Sequence, residues 1–200
     1  GEDVPAWFEV DGERVEIVVE DTEAVYPLMV DPWIESAKLL ASDGAANDRF
    51  GQSVAMDGDR VVVGAPSDDD NGSSSGSAYV FERSGGSWTQ SAKLTASDGA
   101  AGDQFGRSVA MDGDRVVVGA PADDDNGGSS GSAYVFERSG GSWTQSAKLT
   151  ASDGAAGDQF GRSVAMDGDR VVVGAPADDD NGGSSGSAYV FERSGGSWTQ

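Results

Sequence analysis

The chain has 200 residues, with 35 acidic against 13 basic side chains, a formal net charge of −22, and neither cysteine nor histidine. Such a charge argues against nucleic acid, whose phosphates need Lys and Arg partners, and against an anionic membrane surface. The two missing residue types remove disulfides, thiolate nucleophiles, Ser-His-Asp triads and imidazole or thiolate metal sites.

From the N-terminus, Ala6-Trp7-Phe8-Glu9-Val10 and Arg14-Val15-Glu16-Ile17-Val18-Val19 flank Asp11-Gly12-Glu13. Two β-rich runs around a turn signal predict a hairpin. A third run, Ala24–Val30, ends at Asp31-Pro32, and Pro27 confines it to an edge or a bulge. Residues 1–32 are too few to enclose a core and read as the tail of a preceding β domain or as strands that dock on the rest of the chain. No run approaches the ~20 apolar residues of a membrane span. The chain opens on Gly1-Glu2-Asp3 and stops in phase with its repeat at Gln200. It therefore reads as an excerpt or a mature piece, and the lack of a secretory signal says little.

From residue 33 onward the sequence repeats. Residues 91–145 and 146–200 are identical, and residues 36–90 differ from them at six positions, a period of 55 residues. A fixed period of this length marks stacked supersecondary units. Within the first unit, Ser53-Val54-Ala55-Met56 is a short strand, Asp57-Gly58-Asp59 a tight turn, and Arg60–Ala65 a β-branched strand suited to burial on both faces, ended by Pro66. The polar loop 67–76 leads to a third strand, Ser77–Glu82. Ser84-Gly85-Gly86-Ser87 then turns the chain into a fourth, Trp88–Leu94, which alternates apolar and polar residues. No window carries a helical period. The fold class is therefore all-β: four-stranded antiparallel meanders, the blades of a β-propeller, at about 36–90, 91–145 and 146–200. A β-solenoid is the alternative, but its coils are shorter and lack paired hairpin turns.

Phe50-Gly51, Gly64-Ala65-Pro66 and Gly76-Ser77-Ala78-Tyr79-Val80-Phe81 appear in this order three times between residues 33 and 200. They resemble the FG-GAP repeat, the blade unit of integrin alpha subunits and of many prokaryotic surface proteins. The lead-in Ala24–Pro32 is also similar to segments that precede such arrays. The resemblance implies a propeller at the cell surface, or extracellular, used in adhesion or ligand binding. Integrin-type blades often hold calcium in an Asp-rich loop before the GAP strand. Here that place holds only Met56-Asp57-Gly58-Asp59-Arg60, too short to surround a cation with six or more oxygens. Asp57 and Asp59 are therefore read as turn residues.

Strand alternation puts the loop around Asp68-Asp69-Asp70-Asn71 on the same face as the connection holding Asp43 and Asp48. Alternate carboxylates can converge from a turn, and calcium is the cation expected of all-oxygen ligands in irregular geometry. The candidate metal ligands are Asp68, Asp70 and Asn71; Asp123, Asp125 and Asn126; Asp178, Asp180 and Asn181; with Asp43 and Asp48 as weaker additions. The competing reading is a solvated acidic loop in a salt-adapted protein, with surface carboxylates keeping it soluble at high ionic strength. Gly72-Ser73-Ser74-Ser75-Gly76 matches a nucleophile-elbow pattern, but without histidine or a following helix it is loop. Asn71-Gly72-Ser73 is a sequon absent from the other repeats. Trp33, Trp88, Trp143 and Trp198 recur at one position and read as packing residues.

The functional expectation is a non-enzymatic adhesion or recognition segment acting through its acidic loop face. The alternatives are a structural repeat of an extracellular filament, sheath or fibre, and an accessory module of a secreted enzyme. Near-identity of the blades favours the structural repeat, because a ligand site needs one blade to differ from the next. Expected partners are a protein or glycan, or neighbouring copies meeting at open blade edges; nucleic acid and membrane insertion are not expected.

Overall fold

The computed structural model describes residues 36–200 together with the backbone of two strands, β1 (Ala6–Asp11) and β2 (Arg14–Val19). The expected hairpin is present: β1 and β2 pair antiparallel from Ala6↔Val19 to Asp11↔Arg14. The expected run Ala24–Val30 and Trp33 lie outside the described residues. The chain divides into two compact units, Gly1–Ser36 and Ala37–Gln200.

In the second unit each repeat folds as one four-stranded antiparallel meander. Blade 1 holds β3 (Ser53–Asp57), β4 (Arg60–Ala65), β5 (Ser77–Ser84) and β6 (Ser87–Leu94). Blade 2 holds β7 (Ser108–Asp112), β8 (Arg115–Ala120), β9 (Ser132–Ser139) and β10 (Ser142–Leu149). Blade 3 holds β11 (Ser163–Asp167), β12 (Arg170–Ala175), β13 (Ser187–Ser194) and β14 (Ser197–Thr199). The Val-Val-Val run forms the second strand of every blade, and in blades 1 and 2 it is buried on both faces, where a strand has no use for alternation. The fourth strand, on the outside, does alternate, and a bulge at Ser91 lets its hydroxyl donate to the Val80 carbonyl (3.3 Å). These three sheets are consistent with blades of a β-propeller.

The core lies between blades. Val62, Val80 and Leu94 of blade 1 pack against Phe105, Val109, Met111 and Val118 of blade 2. Val117 and Val135 on the far side of blade 2 pack against Phe160, Val171 and Val173 of blade 3. Trp88, Trp143 and Trp198 are half-buried against these clusters, as packing residues should be. Neighbouring blades approach closely at the Phe-Gly turn. A Cβ on Gly64 would lie 2.0 Å from the Gly106 carbonyl oxygen, so β4 of blade 1 meets the Phe-Gly turn of blade 2 backbone to backbone. The Ser53 hydroxyl donates to that same carbonyl (2.8 Å), and Ser108 repeats the bond to Gly161 (2.8 Å). On the opposite end, the Asp57 carboxylate accepts from the Gly113 amide of the next blade (2.7 Å), and Arg60 donates to Asp114 (2.8 Å). The turn aspartates therefore clip one blade to the next.

Candidate functional site

The loop after β4 packs on the connection that enters the next blade: the Gly102 amide donates to the Ser73 carbonyl (2.9 Å) and the Gln104 amide to the Ser74 carbonyl (3.1 Å). Both acidic loops of a blade thus lie on one face. Asp68 is 4% exposed and accepts from the Tyr79 hydroxyl (2.8 Å), the Ser77 hydroxyl (3.0 Å), the Asp70 amide (3.2 Å) and the Lys93 ammonium (3.2 Å). Lys93 also pairs with Asp43 (2.7 Å) and Asp70, and its ammonium stands 5.1 Å from the centre of the Tyr79 ring. Blade 2 repeats the arrangement with Lys148, Tyr134, Asp98, Asp123 and Asp125. The carboxylate oxygens of Asp98, Asp123 and Asp125 lie within 4.8 Å of one another, a grouping that could hold a metal ion. The ammonium of Lys148 is bonded to all three.

The electrostatics are set by that geometry. Burial pushes the Lys93 ammonium toward neutrality, but Asp43 and Asp70 outweigh it and hold its pKa above the ordinary value; Asp125 and Asp98 do the same for Lys148. Burial, reinforced by the neighbouring carboxylates, raises the Tyr79 and Tyr134 hydroxyls, which stay protonated as donors. The hydrogen bond from Lys93 holds Asp43 below the usual carboxylate range. For Asp68, burial works the other way and is outweighed by Tyr79, the Asp70 amide and Lys93.

Of the residues singled out in the sequence, Asp68 and Asp70 converge with Asp43, and Asp123 with Asp125. Asp48 does not join them: it turns back to accept from the Ala45 amide of its own loop. The side chains of Asn71, Asn126 and Asn181 make no hydrogen bond to the carboxylates among the described residues; their backbone amides donate to Ser75, Ser130 and Ser185. In blade 3 the Tyr189 hydroxyl donates to Asp178 (2.6 Å). Asp180 there is pushed up by the charge of Asp178 and then by that of Asp153, and no lysine stands among them in the described residues. Sequence reasoning missed the lysines and tyrosines as members of this site. The signal was present: three lysines in the whole chain, all at one repeat position.

A second feature lies on the same face. A cleft of about 430 Å³ in blade 1 is lined by Asn47, Arg49, Ser67, Asp69, Ser73 and Ser74. Asn47, Arg49, Ser67 and Ser73 are four of the six positions at which blade 1 departs from blades 2 and 3. Arg49 is held at φ 58°, and Gln104 and Gln159 at the same repeat position are each held at φ 57°, so this left-handed turn belongs to every blade. Burial lowers the pKa of Arg107, and the charges of Arg162 and Arg49 lower it further.

The FG-GAP repeat model matches residues 33–81, 88–136 and 143–191. The chain belongs to the FG-GAP repeat family. Such repeats form structural or recognition modules, typically extracellular and not usually catalytic. No helix of the described residues is long and apolar enough to cross a membrane. None of the curated proteins matches the chain. Among solved structures, the crystal structure of the computationally designed Ika4 protein is similar at 16% identity and a TM-score of 0.49, over 82% of this chain and 78% of that one.

Proposed function

We propose that this FG-GAP segment is a non-enzymatic, extracellular recognition or adhesion module that binds a polar ligand, a glycan or a protein, on its acidic loop face. The observation that carries the reading is the blade 1 cleft. Four of the six departures from the repeat line one opening, whereas drift in a spacer has no reason to collect there. Its lining is rich in hydroxyl, amide, guanidinium and carboxylate groups, which suits hydrogen-bonded recognition more than apolar burial. Exposed Asp69 lines it, and exposed Asp70 follows in the same loop, so the opening carries negative charge.

Calcium has to compete for this face with groups already there. In blades 1 and 2 three carboxylates hold an ammonium, while calcium takes about six to eight oxygens. The residues therefore fit a lysine latch better than a calcium site, and the excess aspartates elsewhere serve solvation at high salt. The identity of blades 2 and 3 supports the second reading, a structural repeat.

The two readings separate on a glycan and peptide array probed with the parent chain and with the variant Asn47→Gly, Arg49→Gln, Ser67→Ala, Ser73→Gly, which makes the cleft lining that of blades 2 and 3. Saturable binding by the parent, weakened at least tenfold in the variant, is expected. Identical profiles for the two proteins would leave the structural repeat.

A further inference from the structure

Six arginines of the three blades, Arg60, Arg83, Arg115, Arg138, Arg170 and Arg193, stand within 4.0 Å of an aspartate or glutamate. Arg107 and Arg162 have no such partner among the described residues, in a chain with 35 acidic side chains. Blade 2 packs on a described blade at either side, and neither supplies Arg107 with a carboxylate. Both arginines follow a Phe-Gly turn closed by their own amides, which donate to the Gln104 and Gln159 carbonyls (3.1 Å each). Between blades 2 and 3, Gln104, Gln159 and Arg162 line a cleft of about 120 Å³ with Pro121, Ala122 and Ser129. No carboxylate lines it. Asp103 and Asp158, next to the two glutamines in sequence, are each 5% exposed and turn back to accept from the Ala100 and Ala155 amides (2.7 Å each). What remains is one guanidinium, two carboxamides and a hydroxyl. The same backbone bond joins blades 1 and 2, from the Gln104 amide to the Ser74 carbonyl, as joins blades 2 and 3, from the Gln159 amide to the Ser129 carbonyl (3.1 Å each). Arg107 therefore takes the place there that Arg162 takes here, and Arg49 that of Gln104. The charge of Arg49 reaches Arg107 and lowers its pKa, a like-charge cost that a bound anion would relieve.

We propose that the clefts between blades bind the carboxylates of a uronic-acid polysaccharide, with Arg107 and Arg162 as the residues that hold them. A planar guanidinium meets a carboxylate with two parallel hydrogen bonds. The glutamine carboxamides and the serine hydroxyl can donate to and accept from sugar hydroxyls. A cleft of this size admits an acid group and part of its ring, so the polymer lies across the loop face and sets one carboxylate into each opening. The repeat favours a polysaccharide over a protein: residues 91–145 and 146–200 are identical, and a series of equal clefts suits a ligand that is itself a series of equal units. Weak single contacts then sum through multivalency. This inference rests on the recognition reading of the loop face and narrows its ligand, but it acts between blades rather than in the blade 1 cleft.

Titration calorimetry on the 200-residue chain tests this at about 0.15 M ionic strength, where the distant aspartates are screened and a contact pair is not. The probes are oligosaccharides of galacturonate, of guluronate and of alternating glucuronate, each beside its methyl ester, which keeps the sugar and removes the charge. At least one acid form should bind saturably, and its ester about tenfold more weakly or worse. Arg107→Gln combined with Arg162→Gln should weaken the acid by a similar factor. The corresponding lysine pair, which keeps the charge and loses the two-point geometry, should fall between. Glutamine already stands at this position in blade 1 as Gln52, so the glutamine pair should keep the parent's circular dichroism spectrum; if it fails to fold, the comparison of acid with ester decides. No binding of any of the three acids, equal binding of acid and ester, or binding indifferent to a folded glutamine pair would overturn the proposal. Oligoglutamate bound as tightly would make this a site for acidic peptides, and saturation by acetate or sulfate with no gain from the sugar would make it an anion site only; either result overturns the polysaccharide. A neutral ligand lost only in the four-residue blade 1 variant would overturn it too, and leave the recognition reading standing.

Discussion

Lys148 shows what a single side chain does in this blade. Its ammonium stands 5.1 Å from the centre of the Tyr134 ring and serves Asp98, Asp123 and Asp125 at once. Asp123 is 3% exposed, and a carboxylate that dry is costly unless a donor or a cation meets it. Replacing Lys148 with methionine keeps the stem and removes the charge. The variant should lose about 2 kcal/mol in urea unfolding, less than a fully buried pair would because the lysine is partly solvated. Calcium, which the parent should ignore, should raise the variant's melting temperature by refilling the triad. Equal stability of the two proteins would show that Tyr134, Ser132 and the Asp125 amide satisfy Asp123 without the lysine.

At the scale of an element, the β4 and β8 strands are held to their neighbours by the absence of a side chain. Gly64 and Gly119 sit where the next blade's Phe-Gly turn crosses, and the meeting atoms are backbone, which cannot rotate away. Gly119→Ala should cost about 3 kcal/mol, in the range of core overpacking, and separate blade 3 from blade 2. Gly174→Ala should cost far less, because only the Ser163 hydroxyl has to turn. Thermal unfolding of the pair checks this, and equal losses would mean the close approach is not what the glycine serves. Each Phe-Gly phenylalanine also packs edge-on against a tyrosine, with ring centroids 5.4–5.5 Å apart in the three repeats, so the motif that bridges two blades also seats the tyrosine of the acidic site.

Across the whole molecule the same latches set the response to pH. Asp43, Asp68 and Asp98 are held below the ordinary value of 3.8. The stability they add is present above that value and is lost as pH falls through their lowered pKa values. Asp103, raised first by burial, and Asp180, raised by Asp178, act in the opposite sense and soften the acid loss. Lys93 and Lys148 are held above 10.5, and Tyr79 and Tyr134 above 10.0. What they add is complete below those ordinary values and is lost as pH rises through the raised ones. The melting temperature should therefore be nearly flat between about pH 5 and pH 9 and fall on either side. Phe substituted for Tyr79 and Tyr134 should blunt the alkaline limb; a limb unchanged in that double variant would place its origin elsewhere.

Most of the fold was legible in the chain because it is local and stated three times over. The Val-Val-Val run, the Asp-Gly-Asp turn and the Ser-Gly-Gly-Ser turn each specify a strand or a reversal within a few residues, and the FG and GAP elements carry the family. The shared face of the acidic loops could be read from strand alternation. What strand counting did not provide was which groups meet there. Lys93 reaches Asp43 across 50 residues and Asp68 across 25, and Asp48, next door in sequence, turns back on its own loop. Likewise four of blade 1's six departures are scattered over positions 47, 49, 67 and 73 and become one cleft only when two loops fold onto the same end of the sheet. Periodicity determines strands because hydrogen-bonded pairing and burial act on neighbouring residues; the partner of a charge is decided by the packing of loops distant in sequence, and only the tertiary structure supplies it.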